Sequence, residues 1–182
     1  MRILLFIVSI FFVGCQNQKK SNHQSITESI QVFSDSLNTM SFKAPKDSFV
    51  QDGFYTFSSK EMNAKISLEK LVSEDLGIVF YKEELIEQYK KDLSDVVIES
   101  KDDWFLVKGL DSKNNIVKIK GVYSYVDRLL SKEENPEGDK NYILLVSNAG
   151  ILKIEYPKNN DEKIGSIPKA ILDSFTVNFE NF

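Results

Sequence analysis

An alternation of apolar and polar residues in the middle of the chain constrains its fold more than any other feature. Trp104–Gly109 and Ile116–Val126 are separated by Asp111-Ser112-Lys113-Asn114-Asn115, whose composition is typical of a turn. On the second run, alternation puts two sets of residues on opposite faces: Val117, Ile119, Tyr123 and Tyr125 against Lys118 and Lys120. The two runs therefore predict a half-buried antiparallel hairpin.

The other segments extend this hairpin into a mixed order of strands and helices. Further strands are predicted at Met40–Ala44, Gly53–Ser58, Ala64–Leu68, Tyr142–Val146 and Ile151–Tyr156, with a turn or bulge at Asn148-Ala149-Gly150. Helical spacing predicts a helix within Lys82–Leu93, from Leu85, Ile86, Tyr89 and Leu93, and a last helix from Ile164, Ile167, Ile171 and Phe175. Pro168 is acceptable in that last helix if Ser166 caps a new first turn. The fold class is therefore α/β (α+β).

The first residues have the three parts of a secretory signal. Arg2 supplies a basic start, Ile3–Val13 an apolar core, and Gly14 a small residue before a possible cleavage point. A membrane-spanning helix needs about 20 apolar residues, and this run is about half that length before the polar segment that begins at Gln16. A cleaved signal is therefore favoured over a spanning helix.

Phe12-Val13-Gly14-Cys15 resembles the lipobox of bacterial lipoproteins, although Phe12 stands where Leu is usual. The resemblance implies cleavage between Gly14 and Cys15, and lipidation of Cys15 by a diacylglycerol thioether. Two or three fatty chains hold a protein stably on a bilayer, so the protein would be anchored in the cell envelope. Gln16 follows where inner-membrane lipoproteins of many Gram-negative bacteria carry Asp, which implies the outer membrane, facing the periplasm.

These assignments divide the chain into three parts. Residues 1–14 are expected to be the signal peptide, residues 15–37 the lipidated Cys15 with a polar tether, and residues 38–182 a single domain. The tether is rich in Ser, Asn and Gln. Because Ile26, Ile30 and Phe33 fall at helical spacing, a short helix in this segment is the alternative.

The composition limits the chemistry of the mature domain. Cys15 is the sole cysteine and His23, in the tether, the sole histidine, so neither a Ser-His-Asp nor a Cys-His nucleophile is expected. Zinc lacks its preferred ligands for the same reason. Loss of Arg2 with the signal takes the net charge from -4 to -5, which does not suggest binding to nucleic acid.

Carboxylate pairs remain as candidate catalytic or metal-binding groups. Asp102 and Asp103 are adjacent on a predicted strand and would point to opposite faces. Glu133-Glu134 and the surrounding Ser131–Asn141 segment read as a charged, solvated loop, and its spacing departs from the known calcium-loop pattern. No catalytic residue, cofactor or metal ligand is therefore predicted.

Four stretches of the chain are similar to the Mog1/PsbP-like domain: Phe42-Lys43-Ala44-Pro45, Asp103-Trp104-Phe105-Leu106-Val107-Lys108-Gly109, Ile154-Glu155-Tyr156-Pro157 and Ile171-Leu172-Asp173-Ser174-Phe175. The resemblance covers most of the chain after the tether. It implies a three-layer α/β/α sandwich around a mostly antiparallel sheet, and a binding role rather than catalysis. Trp104, Tyr156 and Phe175 are each explained as core or sheet-packing residues.

The aromatic residues, 13 Phe and 7 Tyr with one Trp, are the remaining guide to function. A sheet covered on both faces accounts for most of them, and Tyr55, Tyr123 and Tyr125 are candidates for a contact surface. We expect a lipid-anchored envelope protein, not an enzyme, whose domain is a binding or adaptor module for another envelope protein. A pocket for a small apolar or lipid ligand is the alternative, and a carboxylate hydrolase a third hypothesis.

Overall fold

The computed structural model describes residues 29–72, 81–129 and 142–182, with side chains described at all of these except 126–129 and 142–145. The strands are β1 Ile30–Ser34, β2 Met40–Pro45, β3 Val50–Gln51, β4 Thr56–Ser59, β5 Ala64–Val72, β6 Ser94–Ser100, β7 Trp104–Leu110, β8 Asn115–Leu129, β9 Tyr142–Pro157 and β10 Thr176–Val177. The α-helices are α1 Lys82–Lys90, α2 Asp161–Ile164 and α3 Ile167–Ser174, with short 3-10 helices at Lys158–Asn160 and Phe179–Asn181. The predicted signal peptide, Gly14, Cys15 and His23 lie outside the described residues.

The strands form two sheets. The larger has seven strands in the order β3-β4-β5-β9-β8-β7-β6, and the smaller has three in the order β1-β2-β10. Every strand pair in the described part of the chain is antiparallel. The predicted fold class, a mixed α/β fold built mostly on antiparallel sheet, is confirmed.

The hairpin of β7 and β8 forms where the alternation predicts it. Its strands pair from Trp104↔Val122 to Leu110↔Ile116. In the turn, Asp111 Oδ1 accepts hydrogen bonds from the backbone N–H groups of Lys113 and Asn115, each at 2.8 Å. An Asp that bonds the backbone beyond it is the usual device for closing such a turn.

Alternation along the strands sends side chains of the large sheet into two different cores. On one face, Phe105, Val107, Val117 and Ile119 pack with Leu85 and Ile86 of α1. On the other face, Leu152, Ile154 and Tyr156 pack with Phe42 of the small sheet and with Ile171 and Phe175 of the C-terminal segment. The large sheet is therefore the middle of three layers, and one outer layer combines the small sheet with α2 and α3.

The folded domain begins earlier than the sequence analysis predicts. β1 occupies Ile30–Ser34, inside the segment assigned to the tether, and pairs with β2 along its whole length. Phe33 is buried and stacks on Phe42 with ring centroids 5.4 Å apart. The helix alternative is also wrong at Ile30 and Phe33, because both lie in this strand, whereas Ile26 lies outside the described residues. A domain boundary at residue 38 is therefore corrected to residue 30 or before.

Two further segments differ in detail from the prediction. β9 runs unbroken through Asn148-Ala149-Gly150, and its register with β8 shifts between Ser124 and Tyr125, which makes the bulge, rather than the turn, the correct alternative. The last helical segment divides at Gly165, whose φ of 58° ends α2. Pro168 lies in the first turn of α3, as predicted. Ser166 occupies the N-cap position, but its side chain makes no capping hydrogen bond.

Candidate functional site

An open groove of about 420 Å³ lies between the sheet strands β6–β8 and α3, and we call it the Trp104 groove. It is lined by Glu99, Trp104, Leu106, Lys108, Lys118, Lys120, Lys169, Leu172 and Asp173. The strands supply its floor, and α3 supplies one wall.

Strand register brings the floor residues together. Trp104, Leu106 and Lys108 alternate along β7 and so share one face, opposite the buried Phe105 and Val107. Across the β7–β8 pair, Leu106 is directly opposite Lys120, and Lys108 is directly opposite Lys118. Across the β6–β7 pair, Glu99 is opposite Leu106. The floor is therefore a small patch of three neighbouring strands in which cations flank apolar side chains.

Trp104 is half-buried on the face of the sheet and belongs to neither core, so the core alternative of its assignment is wrong. Two ammonium groups lie near its ring: Lys101 Nζ is 5.7 Å and Lys120 Nζ 5.9 Å from the ring centroid. Both distances are within the range at which a cation is attracted to an indole face. By contrast, Tyr156 and Phe175 are buried in the core, as the sequence analysis expects.

Lys118 and Lys120 are half-buried on the groove floor. Burial lowers the pKa of both amines below the ordinary value, because desolvation penalises their charged form. Lys120 Nζ donates a hydrogen bond of 2.7 Å to the carbonyl oxygen of Leu172 in α3. Lys118 Nζ lies 5.4 Å from the ring centroid of Tyr156.

The groove holds more cations than anions. Lys108 forms an ion pair with Glu99 at 2.8 Å, and Lys169 pairs with Asp173 one turn away on α3. Lys118 has no hydrogen bond or ion pair to any described residue. Four lysines against two carboxylates make the groove locally cationic, although the protein as a whole is acidic. Such a surface suits an anionic group that lies next to an apolar one.

The three tyrosines predicted to form a contact surface do not come together. Tyr123 is only 3% exposed and belongs to the core beneath α1, so its assignment to a surface is wrong. Tyr125 is half-buried beside it, with ring centroids 5.2 Å apart, whereas Tyr55 packs on the other core. The physical reason is that α1 covers the face that carries Tyr123, and the open part of the sheet is the face that carries Lys118.

Sequence reasoning missed the groove because it treated Lys118 and Lys120 as an ordinary solvent face. The alternation on β7 could have indicated the groove, because it places Trp104, Leu106 and Lys108 on one face of the strand. Which residues of β8 lie beside them follows only from the strand register.

Other candidate chemistry finds little support in the described part of the chain. Residues 29–72, 81–129 and 142–182 contain no cluster of three His, Cys, Asp or Glu side chains placed to hold a metal ion. Hydrogen bonds, chiefly from Thr56, lower the pKa of the exposed Asp52 carboxyl. Hydrogen bonds, chiefly from Asn115, do the same for the exposed Asp111 carboxyl. A carboxyl that acts as an acid catalyst needs a raised pKa. Asp102 and Asp103 are exposed, and the Glu133-Glu134 loop lies outside the described residues.

The helices of the described segments are all too short or too polar to cross a membrane. Two more open grooves, of about 400 and 450 Å³, border β4 and the loops beside it. Serine, lysine and acidic or amide side chains dominate the lining of both.

No family model and no curated protein matches the chain. Among solved structures, the chain is similar to the solution structure of cyanobacterial PsbP (CyanoP) from Synechocystis sp. PCC 6803, at 10% identity and a TM-score of 0.45, covering 83% of this chain and 94% of that one. That score is too low to carry a functional argument, so the fold class rests on the strand pairing and the layers described above.

Proposed function

We propose that this chain is a lipid-anchored cell-envelope protein whose domain is a non-catalytic module that binds another envelope protein at the Trp104 groove. The observation that carries this proposal is the position of the only Trp of the chain, which lies half-buried in an open groove instead of in either core. Tryptophan is enriched among the residues that dominate protein–protein binding energy, because it offers a large apolar surface with one polar group.

The proposed anchor follows from the N-terminal sequence. Lipid on Cys15 would hold the protein at the membrane, and Gln16 favours the outer membrane, facing the periplasm. The first described strand begins at Ile30, so residues 16–29 would connect lipid and domain. At about 3.3–3.6 Å per extended residue, this connection allows the groove to reach a partner that lies well away from the bilayer surface.

The packing of the aromatic residues favours a protein partner over a small apolar ligand. Phe33, Phe42, Phe49 and Phe57 pack on one another with centroid separations between 5.2 and 6.3 Å, which makes a closed core rather than a lined cavity. Sites for small apolar ligands are usually enclosed and lined mainly by apolar side chains. The Trp104 groove is open and carries charged side chains along its floor and wall.

Site-specific crosslinking in the producing cells tests the proposed binding surface. A photoreactive amino acid is placed at Lys169, an exposed rim residue of the groove, and at Lys65, an exposed residue on β5, as the matched control. We expect a discrete crosslink to one protein from position 169, its loss when Trp104→Ala is added, and no such product from position 65. Equal products from both positions, or none from position 169, would contradict the proposal.

The anchor is tested separately with Cys15→Ser. This change removes the thiol that would accept lipid, so we expect loss of fatty-acid labelling and either an uncleaved or a soluble protein. A variant that remains membrane-bound and is processed as in the wild type would show that the lipoprotein interpretation is wrong.

A further inference from the structure

Two lysines of the groove lie where sheets normally avoid like charges. Lys108 on β7 and Lys118 on β8 are directly opposite each other and face the same side of the sheet. Like charges in directly opposed positions destabilise a strand pair, because the side chains are only about 5 Å apart at their Cβ atoms. Burial is the main cause of the lowered pKa of Lys118, the charge of Asp161 opposes it, and the charge of Lys108 makes a smaller contribution in the same direction as burial.

Among the described residues, carboxylates neutralise this pair only in part. Glu99 is bound to Lys108. Lys118 forms no hydrogen bond or ion pair with a described residue, but attraction to Asp161 raises its pKa, and its amine lies 5.4 Å from the ring centroid of Tyr156. Like charges in opposed positions of a sheet, offset only in part by neighbouring residues, are expected at functional sites. An anion that contacts both amines would neutralise the remaining charge.

The floor next to this pair has a regular spacing. Along β7, Lys108, Leu106 and Trp104 follow one another at every second residue, which separates successive side chains by about 6.6–6.8 Å. An extended peptide has the same repeat on each of its faces. A carboxylate side chain beside Lys108 and Lys118 would therefore place the side chain two residues further along beside Leu106, and the next beside Trp104.

On the basis of the proposed function, we infer that the Trp104 groove binds an acidic, extended segment of the partner protein. One carboxylate of that segment lies between the amines of Lys108 and Lys118, and apolar side chains two and four residues away cover Leu106 and Trp104. The excess of lysines over carboxylates in the groove matches the negative charge of such a segment.

The only Trp of the chain is the reporter for the test. The full-length protein in detergent is titrated with the capped peptide Glu-Ser-Leu-Ser-Leu, and with the same peptide carrying Gln for Glu, while Trp104 fluorescence is recorded. We expect saturable binding of the Glu peptide, at least tenfold weaker binding of the Gln peptide, and weaker binding at high salt. Equal binding of the two peptides, or no binding of either, would overturn the inference.

Variants of the two lysines separate binding from folding. Lys118→Met and Lys108→Met should each weaken binding of the Glu peptide about tenfold or more. The urea midpoint of unfolding should change little, because each variant loses the repulsion together with an attraction to a carboxylate, and the exposed Lys108–Glu99 ion pair contributes little stability. Lys113→Met, in the exposed β7–β8 turn, is the matched control and should change neither property. If Lys118→Met and Lys108→Met both leave peptide binding unchanged, the amines are not the recognition groups and the inference fails.

Inorganic phosphate distinguishes a general anion site from a peptide site. Competition by phosphate at the same concentration as the peptide would show that the groove takes any small anion, and would count against an acidic segment. The outcome is independent of the crosslinking at position 169. If the peptide binds but no partner is crosslinked, the proposed function is wrong and the inference about an acidic ligand stands. If a partner is crosslinked but the peptide does not bind, only the inference about an acidic ligand is wrong.

Discussion

The ring of Phe105 fills the space directly above Gly121, its partner across the β7–β8 pair. A Cβ on Gly121 would lie 2.3 Å from Cε1 of that ring, and Phe105 is fully buried. We expect Gly121→Ala to destabilise the domain by about 1–3 kcal/mol, since a buried ring must move or the strands must separate. Urea unfolding measures the effect.

A double mutant identifies the cause of this loss. Phe105→Leu reduces the overlap, so Gly121→Ala should cost clearly less in that background than in the wild type. Equal costs in the two backgrounds would mean that the ring is not what limits the side chain at position 121.

Asp35 holds the turn between β1 and β2. It is 1% exposed, and its two carboxylate oxygens accept hydrogen bonds from Thr39 Oγ1 at 2.9 Å and from the backbone N–H of Met40 at 2.7 Å. Asp35→Ala leaves both donors without this acceptor, so we expect a loss of about 1–3 kcal/mol in unfolding free energy. The exposed Asp92→Ala is the control and should have little effect. A near-neutral Asp35→Ala would show that the turn does not need this carboxylate.

Trp104 and Phe105 are neighbours whose replacement by Ala should have different effects. Phe105 is fully buried, and its loss should cost about 3–5 kcal/mol in unfolding free energy. Trp104 is half-buried in the groove, so Trp104→Ala should cost distinctly less while abolishing the crosslink from position 169. Chemical denaturation of both variants makes the comparison. If Trp104→Ala lowers the unfolding free energy as much as Phe105→Ala does, Trp104 is a core residue after all.

The lowered pKa of Lys118 predicts how stability depends on pH. Near that pKa the folded protein binds fewer protons than the unfolded chain, whose lysine titrates near 10.5, so stability rises with pH between the two values. The stability of the wild type relative to Lys118→Met should therefore increase as pH rises towards 10.5. Urea unfolding across this range tests it, and a gap that narrows as pH rises would contradict the lowered pKa.

Local patterns in the sequence predict the elements better than the site. The β7–β8 hairpin and α1 form where they were expected, because alternation, turn residues and helical spacing all act within a few residues of each other. β1 was missed because the polar residues around Phe33 resemble a tether. Only its pairing with β2, which buries Phe33 against Phe42, makes that segment a strand.

The groove depends on relations that lie far apart in the sequence. Lys120 reaches Leu172 across the space between the sheet and α3, and Lys108 meets Lys118 through the register of the hairpin. Alternation assigns each of these residues to a face of the sheet. It does not show which parts of that face are covered by other elements and which remain exposed. Tyr123 illustrates a second error. Alternation places it on the apolar face of its strand but does not show that α1 covers that face.

The position of β9 between β5 and β8 has a consequence for how the chain folds. β5 pairs with β9 from Lys65↔Glu155 onwards, so the large sheet cannot close until residue 157 has been synthesised. Sheets assembled from such distant strands fold slowly, on the order of milliseconds to seconds. If the protein is exported as proposed, such a delay would keep the chain unfolded while it is threaded through a narrow pore.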